Sequence, residues 1–166
     1  MTAARRQRKS LQGLALALGI AVFGAIFVSR ASLAAPSDPI VTDEHSGLAI
    51  SGFDPVAYFV DGKPRIGRAD LELRLDGVVW RFLDEGNRAA FADHPEVYMP
   101  RFGGYDAVAI ARGASVPGHP LFWAISGERL YLFYDAQARA TFLAGTAAVI
   151  ERATRKWPQV ARTVAQ

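Results

Sequence analysis

The sequence predicts an α+β fold in which small antiparallel hairpins pack with short helices. One observation is that two pairs of strand-like segments are each joined by a tight, glycine-containing turn, which is typical of β-hairpins. Another is that each pair is followed by segments with helix-capping residues and helical spacing of apolar residues. This order, strands then helices twice over, differs from the alternation of a parallel βαβ sheet. No internal repeat in the sequence is strong enough to claim.

The first predicted elements follow a linker at residues 35–47. Residues 56–60 are apolar and rich in strand formers, and a turn that contains Gly and Pro follows them. Residues 71–75 alternate strictly between apolar and charged side chains. The Asp76-Gly77 pair then predicts a hairpin whose returning strand covers residues 78–83.

Helices are predicted on both sides of a Gly-Gly bend. Asp84 is placed to cap a helix that begins at Glu85, and Pro95 permits a second short helix that Pro100 ends. After the bend, residues 105–112 are typical of a buried helix, and a glycine closes it.

The second predicted hairpin joins residues 121–125 to residues 130–134 through a turn centred on Gly127. The apolar residues after this hairpin recur at helical spacing. They predict a helical region that Gly145 breaks into two helices and that Pro158 ends.

Residues 1–34 carry the features of a secretory leader. A basic N-terminal region precedes an uncharged apolar run at residues 11–28, and Ser32 and Ala34 occupy the −3 and −1 positions of a small-residue cleavage site. The apolar run also approaches the roughly 17–25 residues that span a bilayer, so an uncleaved anchor in the inner membrane is the alternative. Both interpretations export the rest of the chain to the periplasm or the extracellular space.

The length and charge of the remaining chain limit its function. Residues 48–160 suffice for one domain, and residues 161–166 form a C-terminal tail. The chain has 19 Lys and Arg against 16 Asp and Glu, but five of the basic residues and none of the acidic ones precede Ala35. Without those five the net charge changes from +3 to −2. Nucleic-acid binding therefore loses its main electrostatic support, and membrane contact is expected only through an uncleaved leader.

The chain contains no cysteine. Disulfides, a cysteine nucleophile and any thiolate-bound metal are therefore excluded. Familiar catalytic signatures are also missing, among them GxSxG, HExxH, the P-loop and GxGxxG. The three histidines, His45, His94 and His119, are scattered along the sequence.

Several stretches of the sequence resemble the YHS-domain proteins, in particular exported members with a single domain. The resemblance covers about residues 50–160. It is carried by Gly52-Phe53-Asp54-Pro55-Val56-Ala57-Tyr58-Phe59, Trp80-Arg81-Phe82, Asn87, Phe91, Pro95, Tyr98, Pro100, Phe102-Gly103-Gly104-Tyr105, Trp123 and Leu130-Tyr131-Leu132.

The resemblance implies a metal site built from cysteines in some relatives, but the matching positions here hold other residues. Three of these positions hold Ala57, Leu83 and Asn87. A fourth, which is often cysteine in the exported relatives, holds Asp106. A soft site of the Cu(I) type therefore does not carry over to this chain.

Four residues are candidates for a binding site. Tyr58, Tyr105 and Asp106 are expected to line a pocket, because buried hydroxyl and carboxylate groups need polar partners. Asp106 and His119 are weak candidates for metal ligands, provided that the loop of His119 folds back over the predicted helix at residues 105–112, where Asp106 lies. Each candidate also has a purely structural interpretation. Asp106 would complement a helix dipole, His119 would lie in a surface loop, and the tyrosines would belong to the aromatic core. The sequence identifies no cofactor.

The sequence favours a non-catalytic exported module that binds a small ligand, a metal ion or a partner protein. The first alternative is a structural or protein-interaction module without a small-molecule site. The second is an enzyme that uses Asp106 and His119 as acid–base groups, although the spacing of the two residues shows no positioned pair.

Overall fold

A computed structural model describes residues 39–165, so the leader lies outside the described residues. The strands are β1 (Arg68–Leu75), β2 (Val78–Phe82), β3 (His119–Ser126) and β4 (Arg129–Phe133). The helices are α1 (Ala57–Val60), α2 (Glu85–Asp93), α3 (Pro95–Tyr98), α4 (Ala107–Ala111), α5 (Ala136–Ala144) and α6 (Thr146–Val164). Strands β1 and β2 form one antiparallel hairpin and β3 and β4 form another, which confirms the predicted α+β class.

The sequence predicts most of the elements to within a few residues at each end, but two of its predictions are wrong. Residues 56–60, whose composition favours a strand, instead contain helix α1, because the Asp54 carboxylate accepts backbone N–H groups at the start of a helical turn. The prediction that Pro158 ends the last helix is wrong, since Pro158 lies inside α6. Trp157 and Val160 are buried on either side of Pro158, and this packing outweighs the one backbone hydrogen bond that proline removes. Gly145 does separate two helices, as predicted.

The described residues consist of two halves with the same order of elements. Each half has a 3-10 turn, a short helix, a hairpin, a nine-residue helix and a further helix. In each hairpin a strand of 8 residues pairs with one of 5 residues. The register shifts at the matching place, between Arg68 and Glu72 in one hairpin and between His119 and Trp123 in the other.

Backbone conformation repeats between the halves as well. The 3-10 turn of the first half has φ values of 42°, 54° and 76° at Ile50, Ser51 and Gly52. Residues 102–104 in the second half have φ values of 56°, 61° and 87°. Residues other than glycine rarely adopt positive φ, and three of these six residues, Ile50, Ser51 and Phe102, are not glycine, so the two runs are a specific shared feature.

Gly67 and Gly118 occupy matching close approaches after these turns. Each donates its N–H, at 2.9 Å, to the carbonyl of the glycine that ends the turn of its half. A Cβ added at Gly67 would lie 2.5 Å from the carbonyl carbon of Arg81, and one at Gly118 would lie 2.6 Å from Cβ of Leu132. Both positions therefore require glycine. From the shared order of elements and the shared turn conformation, we conclude that the domain consists of two structurally similar halves.

Residues 39–43, which lie in the middle of the segment predicted as a linker, join the two turns. The N–H of Val41 donates to the carbonyl of Gly103 at 2.8 Å, and the carbonyl of Val41 accepts the N–H of Ile50 at 3.2 Å. One residue thus ties the strained turn of each half to the other.

Each half has its own apolar core. The first core contains Ala49, Ile50, Val56, Tyr58, Leu71, Trp80, Phe82 and Phe91, and the second contains Phe102, Ala107, Val108, Ile110, Ala124, Phe142, Val149, Ala153, Trp157 and Val160. Strand β4 lies between the two cores, because its Leu130 and Leu132 belong to the first and its Tyr131 and Phe133 to the second. Within residues 39–165, no helix combines the length and hydrophobicity that crossing a membrane requires.

Candidate functional site

The carboxylate of Asp54 is fully buried and accepts four hydrogen bonds. Its Oδ1 accepts the backbone N–H groups of Val56 and Ala57 at 2.8 and 3.4 Å. Its Oδ2 accepts the N–H of Leu83 at 2.8 Å and the side-chain amide Nδ2 of Asn87 at 2.7 Å. Asp54 therefore joins the start of α1 to the end of β2 and to α2.

Asp106 is the counterpart of Asp54 in the second half. It is 2% exposed, and its Oδ1 accepts the N–H groups of Val108 and Ala109 at 2.7 and 3.1 Å. Its Oδ2 accepts the N–H of Tyr134 at 2.9 Å. In both halves the backbone donor to Oδ2 is the residue directly after the second strand of the hairpin. That residue lies 28 positions after Asp106 and 29 positions after Asp54.

The two sites differ in one side chain. Asn87 is the third residue of α2, and its N–H donates to the capping Asp84 at 2.9 Å. Ala138 is the third residue of α5, and its N–H donates to the capping Asp135 at 2.8 Å. Ala138 therefore stands where the first half has Asn87, and the amide that reaches Asp54 has no equivalent beside Asp106.

A cleft of about 250 Å³ lies beside Asp106, where residues of α4 and α5 face each other. Asp106, Tyr134 and Ala138 all line it. The further polar side chains of its wall are Arg112, Asp135, Gln137 and Thr141. The cleft thus lies against the buried residue Asp106, and its wall contains side chains that donate and accept hydrogen bonds.

Tyr58, predicted to line a pocket with Asp106, lies in the first core. It is 1% exposed, its hydroxyl donates to the carbonyl of Pro120 at 2.9 Å, and its ring packs edge-on against Trp123 at 5.3 Å. Removal from water raises the pKa of Tyr58 well above its ordinary value, and the nearby Asp54 charge adds to this. The hydroxyl is therefore a satisfied donor inside the protein.

Tyr105, the third predicted pocket residue, packs on the second core. It is half-buried, its ring centroid lies 6.0 Å from that of Trp157, and burial raises its pKa. Neither Tyr58 nor Tyr105 lines the cleft beside Asp106, and neither lines two further clefts of the described residues. The structure thus places Asp106 at a cleft without either tyrosine.

His119, the weak candidate for a metal ligand, is exposed at the start of β3. Its Nδ1 accepts the N–H of Leu121 at 3.2 Å, and its ring lies 5.5 Å from that of Phe122. It lines a second cleft, of about 290 Å³, which Asp106 does not line. Among residues 39–165, no three or more His, Asp and Glu side chains are grouped so that they could hold a metal ion.

Sequence reasoning missed the relation between Asn87 and Ala138, although the sequence carries a signal for it. Residues 84–91 and 135–142 share Asp, Arg, Ala and Phe at the same relative positions. Aligning these two segments places Asn87 opposite Ala138. Compared with known proteins, the whole chain matches no family model, no curated protein and no solved structure.

Proposed function

We propose that this chain is an exported, non-catalytic module of the YHS type that binds a small polar ligand in the cleft beside Asp106. The observation that carries the proposal is the cleft itself, which is lined by Asp106, a buried residue whose carboxylate is held by three backbone N–H groups. A site held in place before the ligand arrives loses little conformational entropy on binding.

The size and lining of the cleft define the kind of ligand. Its volume of about 250 Å³ is slightly smaller than the roughly 300–1,000 Å³ of pockets for drug-sized molecules, so the ligand is a small one. Gln137 and Thr141 on α5, together with Arg112, offer hydrogen-bonding groups around the carboxylate. These side chains favour a polar molecule over an apolar one.

A binding role fits the geometry better than acid–base catalysis. Asp106 already uses its carboxylate to start α4 and to hold the end of β4. His119, the other candidate acid–base group, lines a different cleft. General acid–base catalysis needs such groups within reach of one bound substrate.

The proposal of export rests on the leader sequence, with its basic start, apolar run and small-residue cleavage site. If the leader is cleaved, the protein recovered from cells begins at Ala35 and fractionates as a soluble periplasmic or extracellular protein. If it is retained as an anchor, the full-length mass is found in the membrane fraction. Intact-mass measurement of each fraction separates these outcomes, and full-length protein in the cytosol would refute export.

The binding proposal is tested by NMR on the exported chain with a panel of small polar molecules. A ligand of the cleft shifts the backbone amide signals of Val108, Tyr134 and Ala138. The blocking variant Thr141→Tyr fills the cleft and abolishes these shifts, because Thr141 lines it. The control Ala140→Tyr places the same side chain at an exposed neighbouring position of α5 and leaves them unchanged.

Two results would contradict the binding proposal. One is a panel in which no compound shifts these three signals. The other is a set of shifts that Thr141→Tyr and Ala140→Tyr affect equally. Either result favours the alternative, a structural or protein-interaction module that has no small-molecule site.

A further inference from the structure

We infer that the cleft beside Asp106 recognises a primary carboxamide, because the other half of the molecule holds a carboxamide in the equivalent place. The inference rests on the proposed binding function and names the chemical group that the site takes. Asn87 supplies that group to Asp54 in the first half. Ala138 leaves the matching position open in the second half.

The hydrogen bonds of the two carboxylates define the missing donor. Oδ2 of Asp54 accepts two donors, the N–H of Leu83 and Nδ2 of Asn87, at 2.8 and 2.7 Å. Oδ2 of Asp106 accepts one, the N–H of Tyr134 at 2.9 Å. A carboxylate oxygen has two lone pairs, so Oδ2 of Asp106 retains capacity for an N–H donor that arrives from the cleft.

The open space lies on the side where the donor is missing. In the first half the side chain of Asn87 reaches from α2 to the carboxylate of Asp54. Ala138 stands at the equivalent position of α5, and it lines the same cleft as Asp106. A molecule that enters between them meets Oδ2 of Asp106 with its N–H group. Arg112, also on the cleft wall, carries only donors and suits the carbonyl oxygen of the same amide.

The charges of the wall disfavour other polar ligands. A carboxylate ligand would meet Asp106 and Asp135, which repel it. An ammonium ligand would be attracted by the two carboxylates, but Arg112 would repel it and would find no acceptor on it. A neutral amide satisfies acceptors and donors without adding a charge.

The test compares acetamide with N,N-dimethylacetamide on the exported wild-type chain. Both carry the same carbonyl group, but only acetamide has N–H donors. We expect acetamide to shift the Tyr134 amide signal with an affinity on the order of tenfold higher, since hydrogen bonds to a charged group are the stronger ones. Equal affinities, or tighter binding of methylammonium than of acetamide, would overturn the assignment.

Two variants extend the test to the relation between the two halves. Ala138→Asn supplies the amide from the chain itself and abolishes the acetamide shift, whereas Ala140→Asn, at an exposed position of the same helix, leaves it unchanged. Asn87→Ala opens the equivalent space beside Asp54, so acetamide raises the Tm of this variant more than that of the wild type. If acetamide raises the Tm of both proteins equally, the two sites are not equivalent and the inference fails.

Failure of the inference is distinguishable from failure of the proposed function. Other compounds of the panel that shift Val108, Tyr134 and Ala138 while acetamide does not would leave the binding proposal standing and remove the carboxamide. The absence of any shift from any compound would remove both.

Discussion

The two halves of the domain use the same buried aspartate in different ways. In the first half Asp54 has four donors, and the last of them, Asn87, closes the site. In the second half Asp106 has three backbone donors, and a cleft is lined by both Asp106 and Ala138. The hydrogen bonds of the two carboxylates thus differ in one side-chain donor, which Asn87 supplies in the first half and Ala138 cannot supply in the second.

The hairpins of the two halves differ in a second respect. Strand β4 is buried on both faces, since Leu130 and Leu132 pack into the first core. The matching face of β2 carries Arg81, which is half-buried and pairs with Glu72 at 2.9 Å. The second hairpin therefore holds the two halves together, whereas the first closes only its own half.

The largest expected effect comes from removing the buried carboxylates. Asp54→Ala leaves four donors without their acceptor, three of them backbone N–H groups, and we expect it to lower the free energy of unfolding by about 4 kcal/mol. Asp106→Ala leaves three donors beside a cleft that water can enter, so about 2 kcal/mol is expected. Urea unfolding of both variants measures the difference. A larger loss for Asp106→Ala would contradict the closed-versus-open comparison.

The next largest effect tests the position of β4 between the cores. Leu132→Ala removes a fully buried side chain from the first core and is expected to cost about 3 kcal/mol. Arg81→Ala, at the matching position of β2, removes a partly exposed ion pair and is expected to cost at most about 1 kcal/mol. Chemical denaturation checks both values, and equal losses would show that the two hairpins are buried alike.

Tyr58 gives the first half a titratable group where the second half has the apolar Ile110. Because burial raises the pKa of Tyr58 above its ordinary value of about 10, the folded protein keeps the phenol proton at pH values where the unfolded chain loses it. Stability is therefore complete below about pH 10 and falls as the pH rises above that value. Tyr58→Phe should reduce this fall, and should cost about 1 kcal/mol at neutral pH through the lost hydrogen bond to Pro120.

Urea unfolding near neutral pH and near pH 11 checks the titration of Tyr58. Tyr105 and Tyr131 also have raised pKa values, so part of the fall is expected to remain in the variant. A fall of the same size in wild type and Tyr58→Phe would show that Tyr58 does not contribute to the pH dependence.

The smallest effects are expected to be equal in the two halves. Asp84 caps α2 and Asp135 caps α5, each through a hydrogen bond to the third residue of its helix. Alanine at either position should cost about 1 kcal/mol. Thermal and urea unfolding measure both, and a difference well above that value would indicate a role for one of them beyond capping.

The sequence predicted the features that short-range signals determine. Asp76-Gly77 marked the first hairpin because both residues adopt the positive φ that such a turn requires. Asp84 marked the start of α2 because a capping side chain acts within three residues. Helix α1 was missed because its composition favours a strand, and the deciding contact is the buried carboxylate before it.

The site itself lay beyond such signals. The hydrogen bond between Asn87 and Asp54 joins residues 33 positions apart, so no local pattern indicates it. Asp106 was singled out as a polar residue in an apolar helix, but its relation to Ala138 became visible only when the two halves were compared. Tyr58 and Tyr105 carried polar groups that suggested a pocket, yet packing places them on different cores.

The stability of Ala138→Asn tests the central claim most directly, because it transplants the closing side chain from one half to the other. If Ala138 occupies the position of Asn87, the new amide reaches Oδ2 of Asp106, and we expect the free energy of unfolding to rise by about 1 kcal/mol. The control Ala140→Asn introduces the same residue at an exposed position of the same helix, where the lower helix propensity of Asn should cost about 0.5 kcal/mol. A loss of stability in Ala138→Asn equal to or larger than that of the control would contradict the equivalence of the two sites.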